Sequence, residues 1–257
     1  MCAAFLMVTA LLPNAGAQDA PSAQTLAGRL SANMMDGSSV VRLKMEIQRP
    51  AGGAKTVLQL QVKTRRTKAA TEIIYSVLWP KDRKGESFLL RRPADRAPSG
   101  NTFSPPDVVR PIASSQMKDG VFGSDIAYED LVDNFFAWEH QAIVGTETVD
   151  RVPCQILESK PDKGDRTIYA RVRSWIDVKR MVPLRVEKYG ASGLVRRIDT
   201  TRVVKDDKNV HIPASLAVQR PGQDSVTEIE GTNIRHDVNF SDGDFTPDAL
   251  RALSKGK

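Results

Sequence analysis

Four carboxylates on one short stretch, Asp125, Glu129, Asp130 and Asp133, are the residues whose types and spacing could do acid–base chemistry. One carboxyl kept protonated beside one kept ionised would serve as general acid and base. The same acids have a sufficient structural reason to exist. The string Gly123-Ser124-Asp125-Ile126-Ala127-Tyr128-Glu129-Asp130-Leu131 reads as a helix start. In it Ser124 or Asp125 caps orphan amides, Glu129 and Asp130 lie near the positive end, and Ala127, Leu131 and Val132 give apolar contacts. Catalysis is not expected from it. His140, His211 and His236 are scattered, with no His-x-x-x-His pair, so spacing alone proposes no metal site. No Gly-x-Ser-x-Gly surrounds Ser87, Ser124 or Ser192, and no Gly-rich loop could cradle a phosphate. Cys154, inside the apolar string Val152 to Leu157, is expected as a small buried hydrophobe. The residues therefore point to no enzyme and no cofactor.

The elements that must position these groups are mostly strands. Leu26, Leu30 and Met34 recur at helical spacing over Thr25 to Met35, which predicts one amphipathic helix. The period then changes to two. Val41, Leu43, Met45 and Ile47 alternate with charged or polar residues, and after the turn at Pro50 to Gly53 so do Leu58, Leu60 and Val62. Further strands are expected at Thr71 to Trp79, Glu86 to Arg91, Phe136 to Val144, Val152 to Ser159 and Thr167 to Asp177. Others follow at Val182 to Lys188, Leu194 to Val204, Val210 to Arg220 and Ser225 to Val238. About eleven strands without intervening helices predict a mainly β fold, one antiparallel sheet large enough to curl or close. Residues 93–122, rich in proline, read as a long loop. Thr246 and Pro247 open a short closing helix as N-cap and first helical residue.

The inner face of such a sheet is lined by Val41, Leu43, Met45, Ile47, Leu58, Leu60 and Val62, either as packed core or, where cover is incomplete, as a hydrophobic cavity. Alternation also sends one member of each pair Arg91-Arg92 and Arg196-Arg197 inward. An inward arginine in an apolar cavity could hold a carbonyl or phosphate of a lipid.

An apolar run from Cys2 to Leu12 followed by Ala15-x-Ala17 reads as a signal peptide over residues 1–17, although no Lys or Arg precedes it. Cleavage near Ala17 leaves one domain over 18–257, exported to the periplasm and expected as a monomer. The run is too short to span a bilayer, and Cys2 lacks the preceding apolar stretch that a lipidated cysteine needs. With a net charge of +6 and pI ≈ 9.4 the chain should favour anionic surfaces such as lipid head groups. Nucleic acid is not expected as a partner, because aromatic residues make up 6% of the chain and do not punctuate its basic residues.

Several strings resemble the LolA/LolB-like outer membrane lipoprotein-sorting proteins. They are Lys84-Gly85-Glu86-Ser87-Phe88-Leu89, the Gly123, Ser124, Asp125, Tyr128, Glu129, Asp130, Leu131 motif with Phe122, and Tyr169 through Trp175-Ile176-Asp177. Pro183 to Tyr189 with Gly193, and Phe245-Thr246-Pro247, complete the set. The resemblance implies an incomplete, half-open antiparallel β-barrel lidded by short helices, whose hydrophobic cavity takes up lipoprotein acyl chains or another amphiphile for transfer towards the outer membrane. It implies no catalysis. Partners would be an inner-membrane exporter or an outer-membrane acceptor. The alternative is a non-carrier envelope protein that acts as the periplasmic partner of an exporter. Where the family often has a Trp-x-Tyr-x-Pro strand and a basic stretch, this chain reads Asn101 to Pro111, and only Arg110 of the basic part remains.

Overall fold

The alternation that begins at Val41 folds into a long hairpin. Strands β1 (Ser38–Gln48) and β2 (Lys55–Arg66) pair antiparallel, with Val41 opposite Val62, Leu43 opposite Leu60 and Met45 opposite Leu58. One face of the hairpin is thereby an apolar ladder. In this computed structural model residues 21–34, 37–50, 52–165 and 167–254 are described, so the leader expected over residues 1–17 lies outside them. Strands β3 (Ala70–Trp79), β4 (Ser87–Pro93), β5 (Ser99–Ser104) and β6 (Val108–Pro111) extend the hairpin to one side. A link over residues 112–139 leads to a second meander, which opens with β7 (His140–Val149), β8 (Val152–Lys160), β9 (Arg171–Asp177) and β10 (Val182–Gly190). Strands β11 (Gly193–Lys205), β12 (His211–Gln219) and β13 (Val226–His236) complete it.

Strand β13 lies against β1 and joins both meanders into one thirteen-stranded antiparallel sheet, with β6 and β7 at its two ends. Among the described residues the two ends do not pair with each other and helices are few, so the sheet is a half-open barrel. Two strands exceed the expected number because β5 and β6 lie inside the proline-rich segment read as loop. Pro105-Pro106 sits in the turn between them, and Pro93 and Pro111 end β4 and β6, all positions where a missing amide donor is tolerated. The strand expected at Phe136 begins only at His140, since Phe135–Ala137 forms a 3-10 turn that drives both phenylalanines into the core.

Helix α1 (Ala23–Met34) buries Leu26, Ala27 and Leu30 against Phe135, Phe136, Trp138, Leu157, Val172 and Val186. The link 112–139 runs over the inner face. Its Ile112, Met117, Val121, Ile126 and Val132 share one core with Met45, Ile47, Leu58, Leu60, Val77 and Phe88. On the outer face α3 (Pro247–Ser254) starts as expected, with Thr246 Oγ1 accepting the Ala249 amide at 3.2 Å. Its Leu250 joins Ile74, Leu89, Phe103 and Phe245, so β3 is buried on both faces.

Candidate functional site

The Gly123 string is a clamp that fastens the link to the sheet. Its helix, α2 (Tyr128–Val132), begins later than the sequence suggested, with Ala127 at the N-cap and not Ser124 or Asp125. Both expected caps are engaged elsewhere. Ser124 Oγ accepts the Ile126 amide at 3.2 Å. The fully buried Asp125 carboxylate accepts the hydroxyls of Ser225 at 2.6 Å and Thr227 at 2.8 Å, while its own amide donates to Thr227 Oγ1 at 2.9 Å. Asp130 does the capping instead, its Oδ2 accepting the Ala127 amide at 2.8 Å. The loop before the helix is tight enough to require glycine twice. A Cβ at Gly120 would meet the Ser124 carbonyl oxygen at 2.0 Å, and Gly123 has φ +86°.

Asp130 is also the centre of a buried charge cluster. Its Oδ1 accepts the Tyr169 hydroxyl at 2.5 Å and Lys188 Nζ at 2.8 Å, and its Oδ2 lies 3.1 Å from Arg196 Nη1. Arg196 donates from Nε to the Asp125 carbonyl at 2.5 Å and from Nη1 to the Tyr169 hydroxyl at 2.6 Å. Lys188 lies 4.8 Å from the Tyr169 ring centroid and 5.2 Å from that of Phe135. Burial pushes the Asp130 carboxyl up, but Lys188 and Arg196 outweigh it and hold it below its ordinary value. Burial, reinforced by Asp130, pushes the Tyr169 hydroxyl far up.

The remaining acids are also bound by the protein. Glu129 Oε1 accepts the Ile168 amide at 3.0 Å, and Asp133 Oδ1 accepts Arg92 Nη1 at 3.2 Å. Burial raises the Asp133 carboxyl to about 6. Two of the resembling strings meet here, because the Phe88 ring packs 5.2 Å from Phe122 and edge-on to Tyr128 at 5.1 Å. The arginine pairs behave as alternation requires, with Arg196 buried and Arg197 paired to Asp199 at 2.7 Å. The inward Arg196 donates to the Asp125 carbonyl and to the Tyr169 hydroxyl, and Arg92 donates to Asp133 of the link.

Beside the clamp the inner face opens into a groove of two adjoining lobes, of about 580 and 650 Å³. Ser39, Arg66, Ile198, Asp206, Ile212, Pro213, Leu216 and Ile234 line both. The first lobe continues over Val41, Leu43, Val62, Ile73 and Leu131, and the second over Leu30, Met34, Phe135, Phe136 and Val186. Of the seven candidate lining residues, Val41, Leu43 and Val62 line the groove. Met45, Ile47, Leu58 and Leu60 do not. They lie on the same face but deeper along the strands, under the link, and are 0–7% exposed. The groove wall that the sequence reading missed comes from β11, β12 and β13, chiefly Ile198, Ile212, Leu216 and Ile229. Alternation along those strands carried the signal. Ionisable side chains gather at the rim: Lys205, Asp206 and Asp207 on one lobe, Lys208, His211 and His236 on the other. Among the described residues no helix is long and apolar enough to cross a membrane.

Comparison with known structures places this geometry. A DUF1329 family protein from Desulfovibrio piger superposes with a TM-score of 0.81 at 25% identity, over 89% of this chain and 97% of that one. A putative outer membrane lipoprotein-sorting protein domain from Vibrio parahaemolyticus gives 0.79 at 20% identity, over 89% and 98% of the two chains. A LolA superfamily protein from Nitrosomonas europaea gives 0.69 at 18%, over 90% and 100%. The last two likenesses are of fold alone. No curated protein matches the chain. A family described as “Uncharacterized protein” matches residues 69–252, from the end of the first hairpin through the clamp to α3, and the chain belongs to that family, built on the half-open barrel shared with LolA-type proteins.

Proposed function

We propose that this chain is an exported, non-catalytic envelope protein whose residues 18–257 form one domain, and that its two-lobed groove takes up the apolar part of an amphiphile. The observation that carries this reading is the groove itself. It is an aliphatic concavity beside a rigid clamp, with lobes of about 580 and 650 Å³, within the roughly 300–1,000 Å³ usual for small-molecule sites. Each methylene moved from water into it contributes about 0.8 kcal/mol, enough for a single chain to bind without any directed polar contact. The charged rim leaves a polar head in solvent, and the net charge of +6 favours anionic heads. A lipoprotein acyl chain is one such cargo, carried through the periplasm towards an outer-membrane acceptor. The printed name of the Vibrio domain supports that version.

A second reading, a non-carrier periplasmic partner of an exporter that uses the barrel as a docking module, is favoured by a specific observation. The deep half of the inner face is filled by the chain's own Met45, Ile47, Leu58 and Leu60, which shortens the room for a long acyl chain. Native mass spectrometry of the mildly purified protein separates the two. Bound amphiphile supports the groove as a binding site. A chain retained by exporter-containing membranes yet always free of amphiphile supports the docking reading.

A further inference from the structure

At the rim of the groove three metal-ligating side chains, two from a turn and one from the end of a strand, converge. Asp206 and Asp207 open the turn between β11 and β12, and His236 ends β13. His236 Nε2 lies 3.1 Å from Asp206 Oδ2 and 3.3 Å from Asp207 Oδ1, and one ligand atom from each residue lies within 4.8 Å of the other two. Four-coordinate zinc with bonds of about 2.1 Å sets its ligand atoms about 3.4 Å apart, so this spacing needs little adjustment. The arrangement is built rather than incidental. Asp206 Oδ1 is taken by the backbone amides of Lys208 at 3.0 Å and Val210 at 2.8 Å, which aims Oδ2 at the imidazole. The Asp206 and His236 side chains are 3% and 9% exposed, whereas Asp207 is 51% exposed. Two ligands with largely enclosed side chains and one solvent-facing ligand leave room for water at an open position.

We propose that Asp206, Asp207 and His236 bind a divalent first-row transition cation, zinc or one of its neighbours. One imidazole nitrogen with two carboxylate oxygens suits such an ion, whereas calcium takes six to eight oxygens and magnesium near-ideal octahedral oxygen geometry. The site does not depend on whether the groove holds an amphiphile.

The test uses the full exported chain stripped with chelator and titrated with zinc chloride by calorimetry, with cobalt(II) absorption as a second readout. One saturable equivalent is expected, unaffected by excess calcium. Asp207→Asn and His236→Gln should each weaken it tenfold or more, with unchanged circular dichroism in at least the exposed Asp207→Asn. Absence of saturable binding overturns the proposal. So does one equivalent that Asp207→Asn leaves at wild-type affinity.

Discussion

Replacing Asp130 by alanine tests the clamp most severely. The side chain is 4% exposed and meets Lys188 and Arg196, themselves 2% and 5% exposed. Removing it strands two cations in the interior without the carboxylate they contact, and also deprives the Tyr169 hydroxyl and the Ala127 amide of their acceptor. Breaking a buried pair in this way costs about 3–5 kcal/mol, a large part of a total stability of about 5–15 kcal/mol. For a chain of this size about 4 kcal/mol lowers the melting temperature by roughly 8–16 °C. Urea denaturation followed by circular dichroism measures the loss directly. Adding Lys188→Met should restore part of it, because one of the stranded charges is then gone. A loss below about 1 kcal/mol for Asp130→Ala would refute the clamp, since the carboxylate would then behave as a solvated surface acid.

Other outcomes follow from the same structure. The Asp133 carboxyl titrates at about 6 in the folded chain against 3.8 for the free side chain, so folding favours its protonated form. Its contribution is fully present below about pH 4, is lost as pH rises through about 6, and amounts to about 3 kcal/mol. The stability of wild type relative to Asp133→Asn should therefore fall over that window in pH-dependent urea titrations, and a flat difference contradicts the assignment. Cys154 is 2% exposed, and burial raises its thiol. A colourimetric disulfide reagent should label it only at the rate of unfolding, and fast labelling of the native protein would show that the β8 region opens.

The hairpin of β1 and β2 was legible because water wets one face and core covers the other, which imposes period two on the sequence. Alternation names a face, however, and not a depth along it. Val41 and Leu43 therefore look the same as Met45 and Ile47 in sequence, although the link 112–139 covers only the second pair. The start of α2 was misplaced for a related reason. Asp125 has the type and position of a cap, but its oxygens are claimed by Ser225 and Thr227 about a hundred residues away. Local rules do not see such competitors. Strands β5 and β6 were hidden by prolines that mark their ends and turn rather than an absence of strand. The convergence of Asp206, Asp207 and His236 was invisible to spacing, because the fold brings the turn between β11 and β12 against the end of β13, about thirty residues further along the chain.

Binding of a fluorescent fatty acid to the delipidated chain, compared between wild type and Leu216→Trp, tests the groove most directly. Leu216 lines both lobes, and the indole should displace about two or three ligand methylenes, or about 2 kcal/mol. Saturable binding to wild type, weakened roughly thirtyfold in the variant at equal thermal stability, is the predicted result. Equal affinity in both proteins, or no saturable binding to wild type, would contradict the account.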